Sequence, residues 1–381
     1  MREYLLVFLV AAATTYLLTV IAREIALRTG AVAAVRDRDV HAEPIPYLGG
    51  LAMLGGLVAA YLVGRELPFL STSDPFVFRD AGIVLIAGAL ICAVGVIDDV
   101  FDLDALTKFG GQVLASGLLV FFGVRLYYFP DSDGVQLSLD PAQGALLSVF
   151  IVVATMNAVN FVDGLDGLAA GVVGIGALAF FVFCYQVANL NGLSLATTGA
   201  LLAASLGGAC VGFLPHNFHP ARLFMGDSGS MLIGLVLSAS ALTITGQFDG
   251  ADITSGAEGG RSGPILLLPL LLPLSLCLVP LADLVMAVVR RTRAGRSPFS
   301  PDKQHLHHRL LEIGHSQRRA VFIMWLWAGL VGFGVVIVSL YAGGLMWTAL
   351  ALMTGATIVL TFLLPRVNKP VLARAAEPED G

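Results

Sequence analysis

Five carboxylates and two carboxamides stand where apolar runs of this chain end. They are Asp98 and Asp99 in Gly95-Val-Ile-Asp98-Asp99, the cluster in Asn157-Ala-Val-Asn160-Phe-Val-Asp163-Gly-Leu-Asp166-Gly-Leu168, and Asp227 in Phe224-Met-Gly-Asp227-Ser-Gly-Ser230. Adjacent carboxylates such as Asp98 and Asp99 repel one another, and a divalent cation or a proton relieves that repulsion; a solvated helix end is the plain alternative. Asp163 and Asp166 are three residues apart, so a helical backbone would turn both to one ligand. Gly164 and Gly167, which follow them, allow a tight turn close to a phosphate or a base. Alternatively, one of the two caps the helix that begins near Leu168. Asp227 lies beside an expected helix start near Ser228. It is either an N-cap or a hard oxygen ligand of the kind Mg²⁺ takes, with water and phosphate oxygens completing the shell, and the helix N-terminus would favour an anion. Phe224 offers a ring for stacking on a base or for ordinary packing. Lys108 adds a cation near the Asp98-Asp99 pair, and His41 heads a rigid Pro-rich turn. His305, His307 and His308 do not share one helix face and have no cysteine nearby, which argues against zinc. With Arg309 they suit a basic edge donating hydrogen bonds to phosphate and sugar oxygens, the alternative being a solvated loop.

The elements that must position these groups are membrane spans. Apolar residues make up 57% of the 381 and charged residues 13%, against about 45–50% and about 25% in soluble domains. Segments of near-spanning length are expected at 4–27, 48–64, 80–97, 109–124, 144–160, 168–187, 195–214, 228–245, 264–288, 320–341 and 345–364. The expectation is therefore an all-α integral membrane protein of about eleven spans. It forms a single domain over 1–365, followed by a disordered tail, 366–381. Alternate loops (28–47, 98–108, 161–167, 215–227, 289–319 and the tail) hold 16 of the 22 basic residues. The positive-inside rule then puts the N-terminus outside and the C-terminus in the cytoplasm. All four polar motifs fall on that cytoplasmic side. The net charge of −5, with no strongly basic region, gives no indication of nucleic acid. Cys92, Cys184, Cys210 and Cys277 lie inside apolar runs and read as small buried hydrophobes.

Taken together, the order, spacing and common side of the motifs resemble the polyprenyl-phosphate N-acetylhexosamine-1-phosphate transferase family. The similarity runs from about Arg38 to about Gly314. It rests on His41-Ala-Glu-Pro-Ile-Pro-Tyr-Leu-Gly-Gly50, on the Asp98-Asp99 and Asn157–Leu168 strings, on Phe224–Ser230 and on His305-Leu-His307-His308. The resemblance implies Mg²⁺-dependent transfer of a sugar 1-phosphate from a UDP-sugar to a membrane polyprenyl phosphate, with UMP leaving, as the first membrane step of cell-envelope polysaccharide synthesis. The broken run His305-Leu-His307-His308 and Ala42 after the early histidine favour the UDP-N-acetylglucosamine branch over the UDP-N-acetylmuramoyl-pentapeptide branch. Another UDP-N-acetylhexosamine remains an alternative donor. Asp227 and Asp163 would hold Mg²⁺, with Mn²⁺ as the alternative ion. Asp98, Asp99, Asp163, Lys108, His305, His307 and His308 would form the catalytic set. Asn157, Asn160, Gly164, Leu165, Asp166, Asn217, Phe224, Arg309 and His41 would contact the substrates. The implied setting is a bacterial plasma membrane, with a homodimer acting at the cytoplasmic face. A transporter is the rival from another class, but it predicts charges near span midpoints and matched broken helices, whereas these acids sit at span ends. A non-catalytic carrier-binding scaffold is the second rival.

Overall fold

The computed structural model describes residues 1–32, 45–130, 136–191, 196–245, 292–293, 316–340 and 344–363. In chain order the helices are α1 (Arg2–Thr29), α2 (Gly49–Glu66), the single turn α3 (Pro68–Ser71), α4 (Pro75–Phe101), α5 (Ala105–Phe121), α6 (Pro141–Val162), α7 (Leu168–Asn191), α8 (Ala196–Asn217), α9 (Gly226–Thr245), α10 (Gln317–Leu340) and α11 (Gly344–Leu363). Ten of the expected spans coincide with described helices, while the segment 264–288, with Cys277, and the tail 366–381 lie outside the described residues. Among the described helices, seven are long and apolar enough to cross a membrane, and the apolar parts of α5 and α11 are shorter. The chain is thus a nearly all-helical, multi-pass membrane protein. One feature departs from the all-α expectation: an antiparallel hairpin pairs β1 (Tyr128–Pro130) with β2 (Gln136–Ser138) between α5 and α6. Strands this short give no periodic signal in the sequence.

Local signals set the helix starts. Pro75 and Pro141 occupy first-turn positions, where the missing N–H costs nothing, after the capping residues Asp74 and Asp140. Asp104 caps α5 by accepting the Leu106 and Thr107 N–H groups, each at 3.0 Å. At the centre lie α8 and α9, buried over 89% and 94% of their apolar windows, against 28% for α1. Hydroxyls inside α9 return to their own backbone, Ser238 to the Gly234 carbonyl at 2.9 Å and Ser240 to that of Val236 at 2.6 Å. A low-dielectric interior demands such pairing. Gly234 lets α9 press directly on α6, since a Cβ there would meet the Met156 Cα at 2.8 Å. Cys92, Cys184 and Cys210 are buried and free, as expected of small core residues.

Candidate active site

The C-terminal ends of α4 and α6 meet the N-terminal ends of α5 and α9, and each end delivers one polar group. From the start of α5, Lys108 extends its ammonium between two carboxylates, 2.9 Å from Asp98 Oδ2 and in direct contact with Asp227. Asp98 spends its other oxygen on the Leu103 N–H, at 2.9 Å, which fixes the turn after α4. On the far side of Asp227, the Asn160 amide of α6 donates both to that carboxylate and, at 2.9 Å, to Ser230 Oγ. The Asp227 side chain keeps 27% exposure and Lys108 21%, so the pair can be reached from outside. Residues 119 positions apart in the chain are thereby brought into one polar cluster.

Asp99 faces differently from its neighbour. It accepts the backbone N–H groups of Asp227 and Ser228, at 2.8 and 3.2 Å. Asp227 is therefore a first-turn residue of α9, which begins at Gly226, and is not its cap. Alongside, backbone bonds run from Phe224 N–H to the Pro46 carbonyl (2.9 Å), from Gly49 N–H to that of Phe224 (3.1 Å) and from Gly50 N–H to that of Met225 (3.1 Å). They dock the start of α2 on the same corner. Phe224 packs against Tyr47, with ring centroids 6.0 Å apart.

The turn between α6 and α7 is not helical, so the expected shared face of Asp163 and Asp166 is not formed. Asp163 terminates α6. Burial, and then the negative charges of Asp227, Asp99 and Asp166, push its carboxyl up to about 8. Asp166 is 2% exposed. Its Oδ2 meets His219 Nδ1 at 2.8 Å and accepts the Ala221 N–H at 3.0 Å, so it ties down the loop before α9 instead of capping α7. Asn217 is 1% exposed; it accepts the Gly167 N–H and donates to the Leu223 carbonyl, both at 3.0 Å. Trp325 of α10 donates to the Gly167 carbonyl at 3.2 Å. Leu165 is buried and Gly164 exposed in this turn. Asn157 forms a reciprocal amide pair with Gln112, at 2.7 and 3.3 Å. His41, His305, His307, His308 and Arg309 lie outside the described residues.

Sequence reading missed Gln112, Ser230 and His219. Only their placement on the same ends of the apolar runs as the named motifs would have pointed to them. As for a metal, no group of three His, Cys, Asp or Glu side chains among the described residues forms a cage. The cluster instead has Asp98 and Asp227 sharing the Lys108 ammonium, with Asp99 and Asp163 close enough to Asp227 for their charges to be felt. An excess of negative charge with one or two available carboxylates suits Mg²⁺, which keeps several waters and takes substrate phosphate oxygens.

A family model described as glycosyl transferase family 4 matches residues 81–245, which contain every group of this cluster. The chain is 46% identical over 381 residues to decaprenyl-phosphate N-acetylglucosaminephosphotransferase of Mycolicibacterium smegmatis, covering 99% of this chain and 91% of that one. To the Mycobacterium tuberculosis protein of the same description it is 50% identical over 338 residues, 88% of this chain and 82% of the relative. A probable undecaprenyl-phosphate N-acetylglucosaminyl 1-phosphate transferase of Bacillus subtilis is 30% identical over 326 residues, 86% and 82% of the two chains.

Proposed function

The chain belongs to glycosyl transferase family 4, the polyprenyl-phosphate N-acetylhexosamine-1-phosphate transferases, and on that premise we propose that it moves N-acetylglucosamine 1-phosphate from UDP-N-acetylglucosamine to a membrane polyprenyl phosphate. An oxygen of the lipid phosphate attacks the sugar-bearing phosphorus. The bond from that phosphorus to the bridging oxygen breaks, and UMP departs with the electron pair. The products are polyprenyl-diphosphate-N-acetylglucosamine and UMP. A phosphate monoester is already a nucleophile, so no serine or cysteine intermediate is needed.

The observation that carries this reading is the Lys108 ammonium held between Asp98 and Asp227 at the meeting of four helix ends. Both reactants are anions, and in-line transfer depends on positioning them and neutralising their charge. Lys108 supplies a fixed positive charge there. Asn160 orients Asp227 through its amide. Asp98, whose carboxylate meets the Lys108 ammonium, is in this reading the group that receives a proton from the lipid phosphate. Asp227 and Asp163 are the residues to hold Mg²⁺, which, when bound, neutralises pyrophosphate charge. The histidines 305, 307 and 308, with Arg309 and His41, complete the donor contacts in this reading, as do Asn157, Gly164, Leu165 and Phe224. Asp166 and Asn217 shape the nucleotide side by holding its loops.

The positive-inside distribution supports a cytoplasmic face for the site, with about eleven spans, N-terminus out, in a bacterial plasma membrane. The lipid acceptor accounts for a phosphotransferase built from spans, and a homodimer is the expected assembly. UMP release from UDP-N-acetylglucosamine, UDP-N-acetylgalactosamine and UDP-N-acetylmuramoyl-pentapeptide, each with polyprenyl phosphate and with Mg²⁺ or EDTA, tests the reading. Release with UDP-N-acetylglucosamine, lost in EDTA, is expected. Preferred use of the pentapeptide donor would refute the donor assignment.

A further inference from the structure

Asp98 and Asp99 are neighbours in sequence, but their carboxylates have separate surroundings. Asp98 meets Lys108. Asp99 gives one oxygen to each of two free N–H groups in the first turn of α9, those of Asp227 and Ser228. A helix start leaves four such donors unsatisfied, and a preceding Ser, Thr, Asp or Asn ordinarily serves them. Here the residue before Gly226 is Met225, whose side chain carries no oxygen acceptor. The cap therefore arrives from another helix, 128 positions away.

Three glycines make the approach possible. Gly226 has φ +69, and a Cβ there would run into the Asp99 carboxylate, its Cγ only 2.8 Å away. Gly95 lies one turn before Asp99 on the same face of α4, and a Cβ on it would meet the Asp227 carbonyl carbon at 2.7 Å. Gly50 of α2 approaches from another side, where a Cβ on it would meet the Gly229 Cα at 2.7 Å. The first turn of α9 is thus clamped between α4 and α2, with Asp99 holding the backbone of the residue whose side chain contacts Lys108 and Asn160.

We propose that Asp99 is a positioning residue, an N-cap supplied by α4 that fixes the first turn of α9 and so aims the Asp227 carboxylate, without itself exchanging a proton with substrate or ligating a metal. The proposal rests on the reading of Asp227 as the central carboxylate of the transfer site. It separates two acids that the sequence presents as an equivalent pair.

The test compares Asp99→Ala, Asp99→Asn and Asp98→Asn in detergent-purified full-length protein, with two readouts. Hydrogen–deuterium exchange follows the peptide containing residues 224–232, and steady-state kinetics follow UMP release. Asp99→Ala should lose amide protection in that peptide and lower kcat by about 100-fold, as expected for an ångström-scale misplacement, with KM for UDP-N-acetylglucosamine within about threefold. Asp99→Asn keeps one acceptor oxygen and should recover roughly tenfold of the lost kcat. Asp98→Asn should leave the α9 protection intact. Unchanged protection in Asp99→Ala, or an Asp99→Asn variant as inactive as Asp99→Ala, would overturn the proposal. Asp227→Ala is the control for the reading beneath it: if that variant turns over normally, the site assignment falls and the proposal with it. A loss of protection without that result leaves the failure, if any, in the link from cap to carboxylate, seen as unchanged kcat in Asp99→Ala.

Discussion

Two regions a few residues apart use the same side chains to opposite ends. At the corner of α4, α5, α6 and α9, Asp98 and Asp227 share one ammonium with Asp99 and Asp163 nearby, and the Asp227 and Lys108 side chains stay partly exposed. In the lock behind it, Asp166 takes His219 and the Ala221 N–H, and Asn217 uses both ends of its amide on the Gly167 and Leu223 backbones. Asp166 and Asn217 are 2% and 1% exposed. Buried polar groups hydrogen-bonded to a loop specify its conformation. Surplus charge at an opening is unfinished without a ligand. In the proposed reading, the difference separates groups that meet reactants from groups that hold the wall.

Breaking the open corner should have the largest effect. Asp227→Asn removes the carboxylate shared by Lys108 and Asn160, and UMP release should fall by about 10³-fold or more, several kcal/mol of transition-state stabilisation, while the protein remains monodisperse. Next, Lys108→Met leaves Asp98 and Asp227 facing each other without their cation. Turnover at saturating Mg²⁺ should drop about 10²-fold, the scale for losing one preorganised electrostatic group. The lock should respond in stability instead. Asn217→Ala leaves two buried backbone groups unpaired, at a cost of roughly 2–4 kcal/mol, read as a lowered Tm with KM for UDP-N-acetylglucosamine little changed. An unchanged Tm with a raised KM would instead make Asn217 a nucleotide contact.

The last effect concerns pH. The Asp163 carboxyl is raised from 3.8 to about 8 in the folded state, by burial first and then by neighbouring carboxylates. The folded protein thus binds the extra proton, and stability from this group is lost as pH rises from about 4 through about 8. In EDTA, Asp163→Asn should melt higher than the wild type at pH 8, and the gain should vanish near pH 4. A gain that persisted at pH 4 would point to packing.

Much of the fold was legible because a membrane span needs a long apolar run, and such runs mark α1, α4, α6–α10 without any tertiary information. The polar clusters at their ends announced the site for the same reason: polarity at a span end is costly and local. What sequence could not show was pairing. Asp98 and Asp99 read alike, yet one meets a lysine and the other a helix terminus. Asp163 and Asp166 suggested a shared helical face, but a glycine-punctuated turn sends Asp166 into the loop at His219. Gln112 looked like an ordinary residue in an apolar helix, and its partner Asn157 lies 45 positions away. Such choices depend on which helices pack together, and small residues such as Gly95, Gly226 and Gly234 set that packing through contacts that periodicity does not encode.

The central claim is that this corner transfers a phosphosugar, with the phosphorus travelling along with the sugar. Incubation with UDP-N-acetylglucosamine carrying ³²P only at the sugar-bearing phosphorus, polyprenyl phosphate and Mg²⁺ tests it directly. The account predicts that the label enters the organic-soluble lipid product and that unlabelled UMP is released. Label remaining in the aqueous nucleotide as UDP, with the sugar alone on the lipid, would contradict it.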